Sequence, residues 1–274
     1  MSAPVVDTAL TVINGQGWSC VDFVSDLHLQ VSEPATWRAF ASYLHQTPAQ
    51  ALFVLGDLFE VWVGDDVLGD PSGDFEREVC DALAQAASRI PIYWLAGNRD
   101  FLTGDGFARA SGARVLSDPC VLHLMGQDCL LSHGDALCLS DHEYMAFRQQ
   151  VRQAAWQQAF LARPLVERQA LARQMREQSQ SRQQAMSEHA DVDASQARWW
   201  LQNAGARRLI HGHTHRPADH DLGGGMSRMV LSDWCANAQP PRAQVLRWSV
   251  DASGGAPGSW QRLNPPAGIT LKRT

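Results

Sequence analysis

Five times along the chain a short apolar run stops abruptly at a cluster of Asp, His, Asn and Gly. The runs are Cys20–Val24, Ala51–Leu55, Ile92–Ala96, Cys129–Leu131 and Arg208–Ile210. Their near-continuous hydrophobicity predicts strands buried on both faces, as in a sheet covered by other layers. Helical periodicity fills the early gaps, over Thr36–His45 and Phe75–Ser88, and strand character resumes late, over Met229–Leu231 and Gln244–Val250. Strands alternating with helices predict a layered α/β fold. In such folds ligands gather at the carboxyl ends of strands, which is where the polar clusters fall.

Residues 140–203 break the pattern. They are rich in Gln, Arg, Ala and Glu, with helical periodicity and a single proline, Pro164, placed to separate two helices. Arginines at 148, 152, 163, 168, 173, 176 and 182 interleave with Trp156, Phe160, Leu161, Leu165, Val166, Leu171 and Met175. The segment lies between two polar clusters and reads as a helical insertion over the site. Its composition suits two descriptions equally: an amphipathic pair with a solvated arginine face, or an apolar channel with a basic rim. Residues 1–18 read as a loose extension, leaving one domain over 19–274.

With 274 residues, 45% hydrophobic and 19% charged, the chain has enough apolar surface for a core and is not wholesale disordered. A net charge of −6 argues against a general nucleic-acid binder. Every basic residue but Lys272 is arginine, which reads mainly as genome composition, though arginine does suit phosphate recognition. The cysteines at 20, 80, 120, 129, 138 and 235 form no CxxC or zinc-finger spacing and read as free thiols of a reducing cytosol. Residues 1–18 lack a signal-peptide pattern, and no run reaches the ~18 apolar residues of a membrane span. A soluble cytoplasmic protein is expected, with peripheral membrane contact left open.

The clusters carry the chemistry: Asp26-Leu27-His28, Gly56-Asp57, Gly97-Asn98-Arg99-Asp100, His133-Gly134-Asp135 and His211-Gly212-His213-Thr214-His215. Each alone has an ordinary explanation, such as a Gly-Asp turn, a surface turn at Gly97–Asp100 or a hydrogen-bonded core histidine. Three histidines in five residues rarely serve packing, and five clusters each behind an apolar run form a coherent set. Period-two strand geometry predicts Asp26 and His28 on one side, and His213 and His215 likewise. Carboxylate, imidazole and amide donors without thiolate suit Mn²⁺, Zn²⁺ or Fe²⁺. The number of donors exceeds what one tetrahedral ion needs. It suits two ions about 4 Å apart sharing a carboxylate, the arrangement used in phosphoester hydrolysis.

The order DxH, GD, GN, His, GHxH resembles that of the calcineurin-like metallophosphoesterases. The resemblance implies a four-layer α/β/β/α sandwich. It also implies one ion on Asp26, His28, Asp57 and His215, and a second on Asp57, Asn98, His133 and His213. Asp57 would bridge, and His211 has no metal role. Longer stretches, LGDLFEVWVGDD (55–66), GNRDFL (97–102), FARASG (107–112), HGDALC (133–138) and HGHTHRP (211–217), resemble the UDP-2,3-diacylglucosamine diphosphatases of lipid A biosynthesis. Arg99 agrees with that group, whereas other members of the superfamily commonly have histidine there.

From this narrower resemblance follow further expectations. The pyrophosphate of UDP-2,3-diacylglucosamine is hydrolysed by water attack on the α-phosphorus, with two Mn²⁺ per chain. Asn98, Arg99 and His213 serve catalysis, and Asn98, Arg99, Asp141, Ser179 and His213 contact the substrate. Gln183 and Met186 stand where the family has asparagine and lysine contacts, and Arg182 supplies a nearby charge. The protein is expected on the cytoplasmic face of the inner membrane as a peripheral protein, with no nucleic acid and no obligate protein partner. Two other readings compete: a phosphoesterase for another nucleotide or phosphoester, and a catalytically silent interaction module. The apolar insertion disfavours the first, and the complete set of metal-ligand positions disfavours the second.

Overall fold

The apolar runs form strands, and these divide between two six-stranded sheets. The computed structural model describes residues 10–185, 190–250 and 258–264, and the side chains of all of these except 177–185. The first half contains β1 (Thr11–Asn14), β2 (Cys20–Val24), α1 (Pro34–Gln46), β3 (Ala51–Leu55), α2 (Asp74–Ala87), β4 (Ile92–Leu95), α3 (Asp105–Ser111), β5 (Arg114–Leu116), β6 (Cys120–Leu124) and β7 (Gln127–Leu131). Four helices follow, α4 (His142–Val151), α5 (Ala154–Leu161), α6 (Leu165–Ala185) and α7 (Ala194–Ala204). The chain then returns to strands β8 (Arg208–His211), β9 (Asp219–Gly223), β10 (Met226–Val230), β11 (Val245–Ser249) and β12 (Ser259–Leu263).

One sheet runs β12-β11-β2-β3-β4-β5, with β2 to β5 parallel and β11 antiparallel to both its neighbours. The other runs β1-β6-β7-β8-β10-β9, with β7, β8 and β10 parallel. Side-chain alternation sorts each strand between two layers. Ala51, Phe53 and Leu55 of β3 meet Leu122, Leu131 and Ile210 between the sheets. Leu52 and Val54 turn the other way, onto Phe40, Leu83 and Phe107 of α1, α2 and α3. Leu130 and Leu209 face outward from the second sheet onto Ala197, Trp200 and Leu201 of α7. Three apolar layers separate four structural ones, giving the expected α/β/β/α sandwich.

Two expectations need correction. Within the supposed loose extension, Thr11–Asn14 is an edge strand parallel to β6. Ile13 is its one buried residue while Val12 is 55% exposed, too little alternation to be read from the sequence. The 140–203 segment is also not a single insertion. Helices α4 to α6 cap the polar end of the sheets, but α7 is the sandwich's fourth layer. An amphipathic period reveals that a helix packs, not what it packs against.

The picture of a solvated arginine face also fails for four of the arginines. Arg168, 2% exposed, donates to the carbonyls of Val63 and Arg163 and to the Asp66 carboxylate. Arg176 Nε lies 2.8 Å from Glu60 Oε1. Arg152 donates to Gly97 O at 2.8 Å and sits over the Phe101 ring. Arg148 Nε donates to Asp135 Oδ2 at 2.8 Å. These arginines fasten the cap to the body. Trp156 stacks on Phe160, and Leu165 and Leu171 join the core, whereas Val166 stays 73% exposed.

Candidate metal centre

All five polar clusters meet at the carboxyl ends of β2, β3, β4, β7 and β8. The pleat is not what aligns them. β2 ends at Val24 and β8 at His211, so Asp26, His28, His213 and His215 lie in turns beyond the strands. Their backbones are left-handed, as is that of Asp57, with φ of 53° at Asp26, 47° at His28, 52° at Asp57, 67° at His213 and 53° at His215. Among the described residues no other non-glycine residue has a positive φ. Such conformations are strained, and strain of this kind collects at functional sites. Two motif glycines make the room: a Cβ on Gly97 would lie 2.0 Å from Asp57 Oδ1, and one on Gly212 2.3 Å from Asp26 Oδ2.

Asn98 Oδ1 lies 2.9 Å from both His133 Nε2 and His213 Nδ1. His133 Nδ1 is 2.9 Å from Leu55 O, an acceptor that holds the proton on Nδ1 and turns the Nε2 lone pair inward. Asp57 Oδ2 is 3.7 Å from His133 Nε2 and 3.9 Å from His28 Nε2, while Oδ1 accepts from Arg99 N at 2.8 Å. Asp26 Oδ2 accepts from Ser25 Oγ at 2.5 Å and His213 N at 2.9 Å. Its buried Oδ1 accepts no hydrogen bond and lies 3.3 Å from His215 Nε2 and 4.0 Å from His28 Nε2. Those two imidazole nitrogens are 3.2 Å apart. Donor atoms of Asp26, His28 and His215, and of Asp26, Asp57 and His133, lie within 4.8 Å of one another in each group. An orphaned buried carboxylate oxygen among inward-facing nitrogens fits a divalent cation.

The charges balance around this array. Burial opposes a proton on His133, but Asp57, Asp26 and Asp135 outweigh it and raise the imidazole to about 9. Burial, helped by neighbouring His133, pushes His213 down to about 3. Burial also works against ionised Asp26, yet His215, His133 and His28 hold its carboxyl well below the usual range. His211 is fully buried, lowered to about 4 mainly by that burial, and its Nδ1 is 2.9 Å from Gly212 O. It belongs to neither donor group.

The remaining expected residues sit around the same cleft of about 560 Å³, lined by Asn98, Arg99, Asp141, Arg176 and His213. Arg99 Nε is buried without an acceptor, and its Nη1 lies 3.9 Å from Glu60 Oε1. Asp141 caps α4, accepting from Tyr144 N at 2.9 Å. Ser179 and Gln183 fall on α6, but their side chains lie outside the described set, as does Met186 altogether.

Three acidic residues in the quoted motifs have structural roles that the motif pattern does not announce. Asp100, which the alternative of a surface turn would leave exposed, is fully buried and accepts from Gly97 N and Leu58 N at 2.8 Å each, bracing one cluster against another. Asp135 accepts from Tyr144 Oη at 2.6 Å and from Arg148, anchoring α4 beside His133. Glu60 Oε2 lies 3.0 Å from His28 Nδ1 and its Oε1 faces Arg176. The signal was a charged residue inside an otherwise apolar stretch, as in Leu58-Phe59-Glu60-Val61-Trp62.

Residues 21–217 match the family model described as calcineurin-like phosphoesterase. Curated relatives named UDP-2,3-diacylglucosamine hydrolase match over nearly their whole length. The protein of Stenotrophomonas maltophilia (strain K279a) is 43% identical over 84% of this chain and 96% of its own. That of Chromobacterium violaceum is 46% identical over 78% of this chain and 90% of its own. That of Chromohalobacter salexigens is 42% identical over 84% of this chain and 93% of its own. By the extent of both matches, the chain belongs to the calcineurin-like phosphoesterase family.

Proposed function

We propose that the protein hydrolyses the pyrophosphate of UDP-2,3-diacylglucosamine, releasing UMP and 2,3-diacylglucosamine 1-phosphate in lipid A biosynthesis. The observation that carries the substrate is the 43% identity, over 84% of the chain, to a relative named for that hydrolysis. The chemistry rests on the donor array. Asp26, His28, Asp57 and His215 would hold one divalent cation, and Asp57, Asn98, His133 and His213 a second. Nitrogen and oxygen donors without thiolate suit Mn²⁺, Zn²⁺ or Fe²⁺, and of these the resemblance to the diacylglucosamine diphosphatases favours Mn²⁺. Bound there, the cations would supply Lewis-acid neutralisation of the phosphoryl charge and a water acidic enough to attack.

The chain's own groups supply position. Arg99 presents a planar fork to a phosphate oxygen, with Nε unclaimed within the protein. Asn98 and His213 share one contact, Asn98 Oδ1 to His213 Nδ1 at 2.9 Å, which fixes both beside the reacting phosphorus. Asp141 uses Oδ1 as a helix cap and leaves Oδ2 to accept from a sugar hydroxyl. Ser179, Gln183 and Met186 are assigned as further substrate contacts.

Among the described residues no helix is long and apolar enough to cross a membrane. We assign the protein to the cytoplasm, in peripheral contact with the inner membrane. Six free cysteines and exposed apolar side chains on the cap, Leu161, Val166 and Met175, support this.

The test incubates metal-free protein with UDP-2,3-diacylglucosamine, with and without Mn²⁺, in ¹⁸O-labelled water. Mn²⁺-dependent UMP carrying the label is the expected result. Cleavage of a simple aryl phosphodiester without cleavage of the lipid would keep the metal site and discard this substrate. No cleavage of any phosphoester would discard the enzyme.

A further inference from the structure

We infer that the wing of the cleft between the 30–36 turn and the 233–237 loop receives the nucleoside half of the substrate. This rests on the reading of the substrate given above. A pyrophosphate whose α-phosphorus reacts over the donor array must extend from it in two directions. One direction leads past Arg99 to Asp141, Cys138 and the helical cap, whose exposed Leu161, Val166 and Met175 offer apolar surface to acyl chains. The other passes His28 and His215 into a wing lined by Gln30, Glu33, Thr36, Asp233, Trp234 and Cys235. Four of these six, Gln30, Glu33, Thr36 and Asp233, carry polar side chains, and the groups match a ribose diol and a pyrimidine.

Glu33 is half-buried at the entrance to α1. Its Oε2 accepts from Asn237 Nδ2 at 2.6 Å, which holds the carboxylate still while leaving acceptor positions open. A vicinal diol presents two donors to such a carboxylate. Gln30 Oε1 accepts from Arg176 Nη1 at 3.2 Å, which orients the amide and leaves its NH₂ to donate to a uracil carbonyl. Two buried groups that line the cleft are also free to bond a ligand. Trp234 lines the wing, is 3% exposed, and its buried indole N–H meets no acceptor. Thr214 Oγ1, lining the same cleft, is likewise buried and unpartnered. Buried polar groups without partners are rare unless a ligand or water completes them. Both line the cleft that Glu33 and Gln30 also line, which makes this the polar half of a two-part site.

The experiment measures equilibrium binding of UMP, dUMP and 2,3-diacylglucosamine 1-phosphate to the full Mn²⁺-loaded chain. It uses the parent, Glu33→Gln and Gln30→Ala, with thermal melts showing that each variant folds. UMP should bind the parent more tightly than dUMP. Glu33→Gln should weaken UMP by about tenfold, the scale of one charged hydrogen bond, and erase the preference for the 2′-hydroxyl. The diacyl sugar phosphate should change less than about twofold, within the scatter of substitutions that do not touch a ligand. UMP affinity unaltered in both variants, or equal weakening of UMP and the lipid, would overturn the assignment. A parent that binds no UMP would do the same. If the parent fails to cleave the diacyl nucleotide yet binds UMP through Glu33, the substrate reading falls and the nucleoside wing stands.

Discussion

Left-handed backbone at Asp26, His28, Asp57, His213 and His215 concentrates strain of roughly 1–3 kcal/mol per residue at one site. The identities of these residues were legible in the sequence because donors recur behind apolar runs. Their conformation was not, since a period of two describes strands and all five lie outside them. Glu60 was invisible for another reason: a lone carboxylate declares no partner until the chain folds His28, Arg99 and Arg176 around it. Burial would raise its pKa, but those three groups hold it below the usual range, so it stays ionised. At 3.0 Å from His28 Nδ1 it holds the ring with Nε2 turned inward. Glu60→Ala should lower Mn²⁺ affinity by about 10-fold or more, while Glu60→Gln, which can still accept from Nδ1, should lose less. Titration of Mn²⁺ into metal-free protein measures both. Equal affinity in the parent and Glu60→Ala would show that packing alone orients His28.

Elements are held to one another here by arginines whose roles depend on tertiary contacts. Arg168, at 2% exposure, joins α6 to the 63–66 turn through the Val63 carbonyl and the Asp66 carboxylate, and braces the entrance of its own helix at Arg163 O. Arg168→Met keeps the apolar stem but leaves Val63 O and Arg163 O unpaired. A loss of about 2 kcal/mol in urea unfolding is expected, together with faster proteolysis within α4–α6. Unchanged cleavage there would mean that the aromatic contacts of Trp156 and Phe160 suffice to seat the cap.

Asp191, leading into α7, pairs with buried Arg228 of β10 at 2.7 Å and 2.8 Å. This hydrogen bonding is the main reason the Asp191 pKa falls from 3.8 to about 2. A depressed carboxyl stabilises the fold above its unfolded pKa, and that stabilisation is lost as pH falls through the folded value. Asp191 is 40% exposed, so after solvent screening the pair contributes about 1 kcal/mol. Asp191→Asn should therefore be less stable than the parent at pH 7, and the difference should close between about pH 4 and pH 2. A difference that stays constant over that range in denaturant melts would assign the effect to packing instead.

At the scale of the whole molecule, the donor array draws on residues from Asp26 to His215 and so exists only when both sheets have formed and stacked. The layered α/β order was legible because strands buried on both faces read as unbroken apolar runs. The edge strand β1 and the split between cap and α7 were not, because a short edge buries one side chain and an amphipathic helix does not name its neighbour. This long-range assembly has a thermodynamic consequence. A cation that binds the folded array but not the unfolded chain stabilises the fold by mass action, about 2.7 kcal/mol at a hundredfold excess over Kd. For a chain of this length that is a rise in melting temperature of about 5 °C. Asp57→Asn is the informative variant, because asparagine tolerates the left-handed backbone that alanine would strain. It removes the carboxylate expected to serve both cations while keeping the side chain's shape. Metal-free parent and variant should melt within a few degrees of each other, and added Mn²⁺ should raise the parent's melting temperature while leaving the variant nearly unmoved. Because the readout is stability, it is independent of the identity of the substrate. Equal Mn²⁺-dependent shifts in both proteins would remove Asp57 from the metal centre and with it the two-cation arrangement.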